Sequence, residues 1–544
     1  MKKWITQLSR ETIRQYTAGG YWETRRTLND YFCDALAKHP SQEMIVDRDR
    51  RVTYRQMDVL LNELSSGLQK LGVEKGDVVS FQLPNWMESL AIYLACKRIG
   101  AVSNPIIAIY RSTEVGFILK QAESKVMIIP DRFRNFDYSG MLTDLWPSLP
   151  NLEHVVVVEE KAPDGMMIFD DLLKLGRNTL DEYTAVRVDP NEVSLLLYTS
   201  GTTSEPKGVI HTHNTILWEA KSARDLLKLG DDLVVLMSTP ITHIGGLFAG
   251  MELPTLVGGK VVFQDIWEPE QALELIQRER CNFMTGSTPF LQGIVTHPKV
   301  KEFNLKSLKS FGCGGAPVPP GLIYQAINEL GINSGRGYGL TEFSTITLYK
   351  MDDPVDKLAH TDGSQAPGVE IRIVNPITGK NLGTGEEGEI LARGPECFVG
   401  YKDPSLNEGA FEGDWFHTGD LGVMDMDGYF TVTGRKKDII IRSGENISVK
   451  EVEDMVHAHP KVEEVAIVGM PDPVTGEKAC AYVTLAEGMR SLTLEELKDF
   501  LIEQNLAKQK MPERIEIIDK FPRTHSGKIK KNVLKADIVR KLAS

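Results

Sequence analysis

Tyr198-Thr-Ser-Gly-Thr-Thr-Ser-Glu-Pro-Lys-Gly208 follows the apolar run 195–198 and gathers hydroxyls, glycine and one lysine into a single short segment. Those are the groups a polyphosphate needs. Glycine lets main-chain N–H groups approach the oxygens, Thr and Ser hydroxyls donate hydrogen bonds or meet Mg2+, and Lys207 offsets negative charge. Taken alone, a Ser/Thr/Gly cluster is also what a solvated turn looks like. The order Lys207-Gly208, with no Ser or Thr after it, departs from the GxxxxGK[ST] pattern, so the P-loop NTPase class is set aside.

On both sides of this segment, short apolar runs at 126–129, 155–158, 195–198, 234–237 and 261–263 alternate with amphipathic stretches such as 270–278. The alternation predicts α/β layers with largely parallel sheets. Thr53-Tyr-Arg-Gln56 reads as a capping box opening a helix with Leu60, Leu61, Leu64, Leu68 and Leu71 at helical spacing, stopped by Gly72. From about Val369 the texture changes to short strands at 370–374, 388–392 and 428–433 between Gly, Asp and Pro turns, which predicts a small β subdomain. Past Gly434 and a charged Arg-Lys-Lys-Asp come two further capping boxes, Ser448-Val-Lys-Glu451 and Thr493-Leu-Glu-Glu496, with a helix to Pro460 and a strand at 465–469. The expected fold is therefore α/β. A large N-terminal domain of layered sheets plus the β subdomain covers 1–434, and a small mobile α+β C-terminal domain covers 435–544.

A chain of 544 residues exceeds the roughly 250–300 at which single cores stop growing, so at least two domains are expected. Its 42% hydrophobic and 25% charged residues are ordinary globular composition. A formal net charge of -13 argues against a nucleic-acid surface. Six scattered cysteines without a CxxC pair indicate neither a zinc knuckle nor a disulfide framework. The start, MKKWITQLSRETIRQY, has no apolar h-region, and no run approaches the roughly 20 apolar residues of a membrane span, so a cytoplasmic location is expected.

Four more segments follow the phosphate-type string in order: Gly312-Cys-Gly-Gly-Ala-Pro317, Gly337-Tyr-Gly-Leu-Thr-Glu342, Trp415-Phe-His-Thr-Gly-Asp420 with Gly434-Arg435, and Pro522-Arg-Thr-His-Ser-Gly-Lys528. Each alone would pass as a turn, a strand end, a β-turn aspartate or a solvated basic tail. Together they resemble the motifs of the adenylate-forming superfamily of acyl-CoA synthetases, nonribosomal adenylation domains and luciferase, across nearly the whole chain. The resemblance is strongest to short- and medium-chain fatty acyl-CoA synthetases and cyclohexanecarboxylate-CoA ligases.

What the resemblance implies is specific. Thr199, Ser200, Gly201, Thr202, Thr203 and Lys207 hold the phosphates; Gly314, Gly315, Ala316 and Pro317 lie against the adenine; Tyr338 stacks on it beside Gly339. Thr341 meets the α-phosphate, and Glu342 with Thr202 holds Mg2+, a hard cation suited to oxygen ligands. Asp420 accepts from the ribose hydroxyls, with Arg435 as the second ribose contact. Lys528 bridges the attacking carboxylate and the α-phosphate. Lys437 is the hinge, and Ser443, Gly444 and Glu445 approach coenzyme A after the C-terminal domain rotates. His243, Gly245, Gly246, Phe248 and Phe343, with Ser344 and Thr345, border the acyl group. His243 is read as a catalytic gate, or else as a hydrogen-bonded structural histidine.

The expected activity is an AMP-forming carboxylic acid–CoA ligase using ATP, Mg2+ and coenzyme A. Its partners are then small molecules, without nucleic acid or an integral membrane segment, and a homodimer is compatible with it. The segment Ser238-Thr-Pro-Ile-Thr-His-Ile-Gly-Gly246 carries no acid to pair an amino-acid ammonium, so a medium-chain fatty or alicyclic acid is favoured. The alternatives are an enzyme loading a separate carrier protein, since the chain ends soon after Lys528 with no fused carrier expected, or an aryl acid–CoA ligase. A luciferase-like oxygenase has no feature in its favour, and both Lys207 and Lys528 argue against a noncatalytic binding protein.

Overall fold

The computed structural model describes residues 4–199, 205–316, 318–442, 445–447, 449–504, 506–523 and 529–543. The chain divides into two compact units. One comprises Met1–Ile371, Ala392–Phe416 and Gly428–Phe430; the other comprises Arg372–Leu391, His417–Asp427 and Thr431–Ser544.

The first unit is built on two large sheets. Among the described residues the larger runs Ser364–Gln365, Thr347–Leu348, Asn333–Tyr338, Ser310–Cys313, Phe283–Gly286, Val234–Met237, Lys260–Phe263, Glu43–Asp47, Arg50–Thr53. Its six central strands, from Asn333–Tyr338 to Glu43–Asp47, pair in parallel. The second sheet runs Lys207–Thr212, Val193–Thr199, Val102–Pro105, Val78–Phe81, Val126–Ile129, His154–Val157, Met167–Ile168, parallel except where Lys207–Thr212 turns back on Val193–Thr199. Strands buried on both faces need near-continuous apolar runs, and Val126–Ile129 is buried at every position.

The expected helix forms over Tyr54–Lys70, its box closed in both directions between Thr53 and Gln56. Leu61, Leu64 and Leu68 are fully buried on its inner face. Gly72 (φ 81°) follows in a conformation that L side chains rarely adopt, which is why the helix stops there.

In the second unit, Glu445–Ile447, Ile440–Arg442, Gly476–Leu485 and Val462–Asp472 form an antiparallel sheet, with Arg514–Ile517 parallel to Gly476–Leu485. Helices Val449–His457 and Leu494–Glu503 bury Val452, Val456, Leu497 and Leu501 in its core. Three local expectations shift. The strand expected at 465–469 extends over Val462–Asp472, and the one expected at 428–433 occupies Phe430–Arg435. The helix expected to reach Pro460 ends at His457. The box at Thr493 closes one way only: Thr493 accepts from the Glu496 N–H, but the Glu496 carboxylate pairs with Lys461 instead of turning back. Ser448, the cap expected for the preceding helix, lies outside the described residues.

No helix among the described residues is long and apolar enough to cross a membrane. All six cysteines are free thiols.

Candidate functional site

Ligands of open α/β sheets settle outside the carboxyl ends of the strands, and the expected site segments leave strands at that edge. Gly314–Ala316 follows Ser310–Cys313, the 339–342 segment follows Asn333–Tyr338 on the neighbouring parallel strand, and the 238–248 loop follows Val234–Met237. At Gly339 the backbone leaves no room for a side chain. A Cβ on Gly339 would lie 1.9 Å from the Ser344 carbonyl oxygen, so the chain doubles back on itself directly after Tyr338. Gly315 (φ 76°) instead borders open space.

Thr199 and Lys207 are the paired ends of an antiparallel turn. Ser200, Gly201, Thr202 and Thr203, between them, lie outside the described residues, as do Pro317, Ser443, Gly444, Lys528 and the side chain of Glu445. The structure brings Lys207 and Glu342 to one aromatic residue. The Lys207 ammonium stands 5.3 Å from the Tyr401 ring centroid, and the Tyr401 hydroxyl donates to Glu342 Oε1 at 2.9 Å. Burial and the Glu342 charge raise the Tyr401 pKa, so this hydroxyl keeps its proton and acts as a donor.

Three ties to the main chain lock the arrangement. Strand Lys207–Thr212 reaches the 337–342 segment through His211, whose Nε2 is 2.7 Å from the Thr341 carbonyl oxygen. Burial drives the His211 pKa down to about 4, so the ring is neutral and Nε2–H is the donor. The Phe398 N–H donates to the Glu342 carbonyl at 2.8 Å, and Val209 bridges Tyr401. A carboxylate and an ammonium that meet one tyrosine suit Mg2+ arriving with phosphate oxygens.

His243 is exposed and caps the short helix Ile244–Leu247, with its carbonyl accepting from Leu247 N–H at 2.8 Å. Gly245 is also exposed, and a Cβ there would meet nothing within 4 Å, whereas one on Gly246 would strike the Pro240 carbonyl at 2.1 Å. Phe248 opens a π-helical turn, Phe248–Glu252, and is half-buried, while Phe343 is fully buried. Phe343 packs in the core, and Ser344 and Thr345 beside it are half-buried.

In the second unit Asp420 is buried on strand Trp415–Met424, and its Oδ1 accepts from Arg435 Nε at 2.6 Å. The two residues read as ribose contacts are therefore side by side. Lys437 sits in the 3-10 turn Lys436–Asp438 joining strands Phe430–Arg435 and Ile440–Arg442, and burial lowers its pKa.

Sequence reasoning passed over Tyr401, His211 and Asn85. Asn85 Oδ1 accepts from Ile241 N–H at 3.0 Å, and its Nδ2 lies 3.1, 3.0 and 3.0 Å from the carbonyls of Met237, Thr239 and Gln264. It thereby holds the root of the 238–248 loop. A single buried asparagine far away in the chain carries no motif. Only the Gly400-Tyr401 pair following an apolar run hinted at the tyrosine's place.

A family model described as AMP-binding enzyme matches residues 32–402, and one described as AMP-binding enzyme C-terminal domain matches 451–528. The medium-chain fatty-acid–CoA ligase of Escherichia coli (strain K12) is 38% identical over 530 residues, 97% of this chain and 93% of that protein. The 2-hydroxy-7-methoxy-5-methyl-1-naphthoate–CoA ligase of Streptomyces carzinostaticus is 33% identical over 97% of this chain and 95% of that one. Among solved structures, ATP-bound MatB from Rhodopseudomonas palustris superposes with a TM-score of 0.83 at 26% identity, over 94% of this chain and 99% of that one. The chain belongs to the AMP-binding enzyme family, among the adenylate-forming acyl-CoA synthetases.

Proposed function

We propose that the protein joins a carboxylic acid to coenzyme A by way of an acyl adenylate, and that the acid is a medium-chain fatty or alicyclic one. The observation that carries the reaction type is the meeting of Lys207 and Glu342 at Tyr401. An ammonium for phosphate charge and a carboxylate for a hard cation, held on one rigid aromatic, are what a metal–polyphosphate needs.

A carboxylate resists a thiol because its carbon is electron-rich and oxide is a poor leaving group. Activation comes first. One carboxylate oxygen attacks the α-phosphorus of ATP, the bond to the β-phosphate oxygen breaks, and pyrophosphate leaves. Lys207 offsets the charge on the phosphates, Thr341 meets the α-phosphate, and Lys528 approaches from the second unit as charge builds. Glu342, with Thr202, would hold Mg2+, which would supply charge neutralisation at the phosphates. Tyr401 fixes Glu342, and Asp420 with Arg435 receives the ribose. In the second step the thiol of coenzyme A, losing its proton, forms the thioester bond and AMP departs. The turn at Lys437 is the pivot that exchanges Lys528 for the 443–445 segment, between a domain of 1–434 and one of 435–544.

The choice of acid rests on the apolar and glycine-rich 238–248 loop, open above Gly245 and without an acidic side chain. An aryl acid is the second reading, favoured by the likeness to the naphthoate ligase. A panel of short, medium, long, cyclic and aromatic carboxylates, scored by coenzyme A-dependent AMP release, tests both. The highest kcat/KM is expected for medium-chain or alicyclic acids; a preference for aromatic acids of more than about tenfold, some 1.4 kcal/mol, selects the second reading.

A further inference from the structure

Behind the acyl segment lies a pair of carboxyls that the reaction above does not use. Glu219, on helix His213–Leu226, is 2% exposed, and Glu396 is fully buried. Both reach Thr345: its N–H donates to Glu396 Oε2 at 3.1 Å, and its hydroxyl to Glu219 Oε1 at 3.4 Å. Among the described residues neither carboxyl takes part in an ion pair. Among the described residues, Glu219 Oε2 and Glu396 Oε1 meet no partner in hydrogen-bond geometry. Ser344 stands beside Glu219, and Ser222 beside Glu396.

The other titratable groups nearby do not relieve this. Glu252, from the π-helical turn, takes the Tyr93 hydroxyl as its donor. Lys97, buried on the same helix as Tyr93, donates to the Ser194 carbonyl at 3.0 Å, and its charge acts on Glu252. His211 is neutral and bonded to Thr341. Two buried carboxylates against one residue cannot both stay ionised without a cation between them.

We propose that Glu219 and Glu396 are positioning residues for the acid substrate: closing on the hydroxyl and the N–H of Thr345, they hold it, and with it the 343–345 segment, at the acyl group. Thr345 is half-buried, with its back on the carboxyls. Burial, with the charge of Glu252 adding to it, pushes the Glu219 carboxyl up to about 8, and burial with the charge of Glu219 pushes Glu396 well above the usual range. Ionisation of the pair at alkaline pH then drives the two carboxyls apart and releases Thr345. The inference rests on the reading that the segment after Glu342 faces the acid.

The test is acid-dependent pyrophosphate exchange without coenzyme A, from pH 6 to 9, for the wild type, Glu219→Gln and Glu396→Gln, with thermal unfolding over the same range. In the wild type, kcat/KM for the acid is expected to fall above about pH 8 while KM for ATP stays level, and Glu219→Gln is expected to flatten that limb. The sign for stability follows from the raised pKa. The folded state keeps a proton that the unfolded chain has released, so stability falls as pH rises from the ordinary carboxyl range toward 8. The wild-type melting temperature should therefore drop more over that span than that of either Gln variant. An alkaline limb unchanged in both variants, or KM for acid and ATP moving together, overturns the proposal. If neither variant folds, the wild-type profile decides: a limb confined to the acid supports the pair and a flat profile rejects it. Should the wild type turn over no acid, the functional reading fails, and unfolding still decides the pair, since equal pH dependence in all three proteins rejects it.

Discussion

Tyr401 couples the two charged ends of the candidate site, and its role rests on one hydroxyl. Tyr401→Phe keeps the ring beside Lys207 but removes the donor to Glu342. A hydrogen bond to a charged group is worth about 1.5–3 kcal/mol. The variant is therefore expected to lose on the order of tenfold or more in kcat/KM for MgATP, with a higher Mg2+ requirement, measured by pyrophosphate exchange; unchanged Mg2+ dependence would remove the tyrosine from this role. Lys528→Ala is expected to abolish adenylation while thioester formation from preformed acyl-AMP persists, and surviving pyrophosphate exchange would contradict its assignment. At this scale the sequence was half legible. Lys207, Glu342, Asp420 and Arg435 stand in runs of special residues, and the structure pairs Asp420 with Arg435 and joins Lys207 to Glu342 through Tyr401. Tyr401, His211, Asn85 and the Glu219–Glu396 pair act through contacts between residues far apart in the chain, which no local pattern records.

Elements place these side chains through backbone fit. The return of the chain after Tyr338 leaves 1.9 Å between the Ser344 carbonyl and a Cβ on Gly339. Gly339→Ala must open this turn, and overpacking of this kind costs typically about 1–3 kcal/mol. Because the turn lies between Tyr338 and Thr341, adenylation is expected to fall by two orders of magnitude or more while far-ultraviolet circular dichroism stays native; wild-type activity would show that the turn is not at the site. The central parallel strands and the Tyr54–Lys70 helix were readable because burial on both faces demands continuous apolar runs and because a capping box is local chemistry. The misjudged ends have tertiary causes. Glu496 abandons its box for Lys461, and Val462–Asp472 outgrows its apolar centre because the strand Gly476–Leu485 pairs along its length.

At the scale of the whole molecule, Lys207, Glu342 and the 238–248 segment fall in one compact unit, and Asp420, Arg435 and Lys437 in the other. An enzyme with two different half-reactions gains if the residues past Lys437 reorient between steps, as proposed above. Lys437→Pro fixes φ in the 3-10 turn between Arg435 and Ile440. It is expected to leave adenylate formation within about threefold of wild type and to slow thioester formation at least a hundredfold; equal loss in both would argue against a pivot there. The central claim, activation through an acyl adenylate, is tested most directly by withholding coenzyme A and following labelled pyrophosphate into ATP. Acid-dependent exchange in its absence, followed by release of AMP and acyl-CoA in equal amounts when coenzyme A is added, is the expected result. Release of ADP, or no exchange with any acid of the panel, would contradict it.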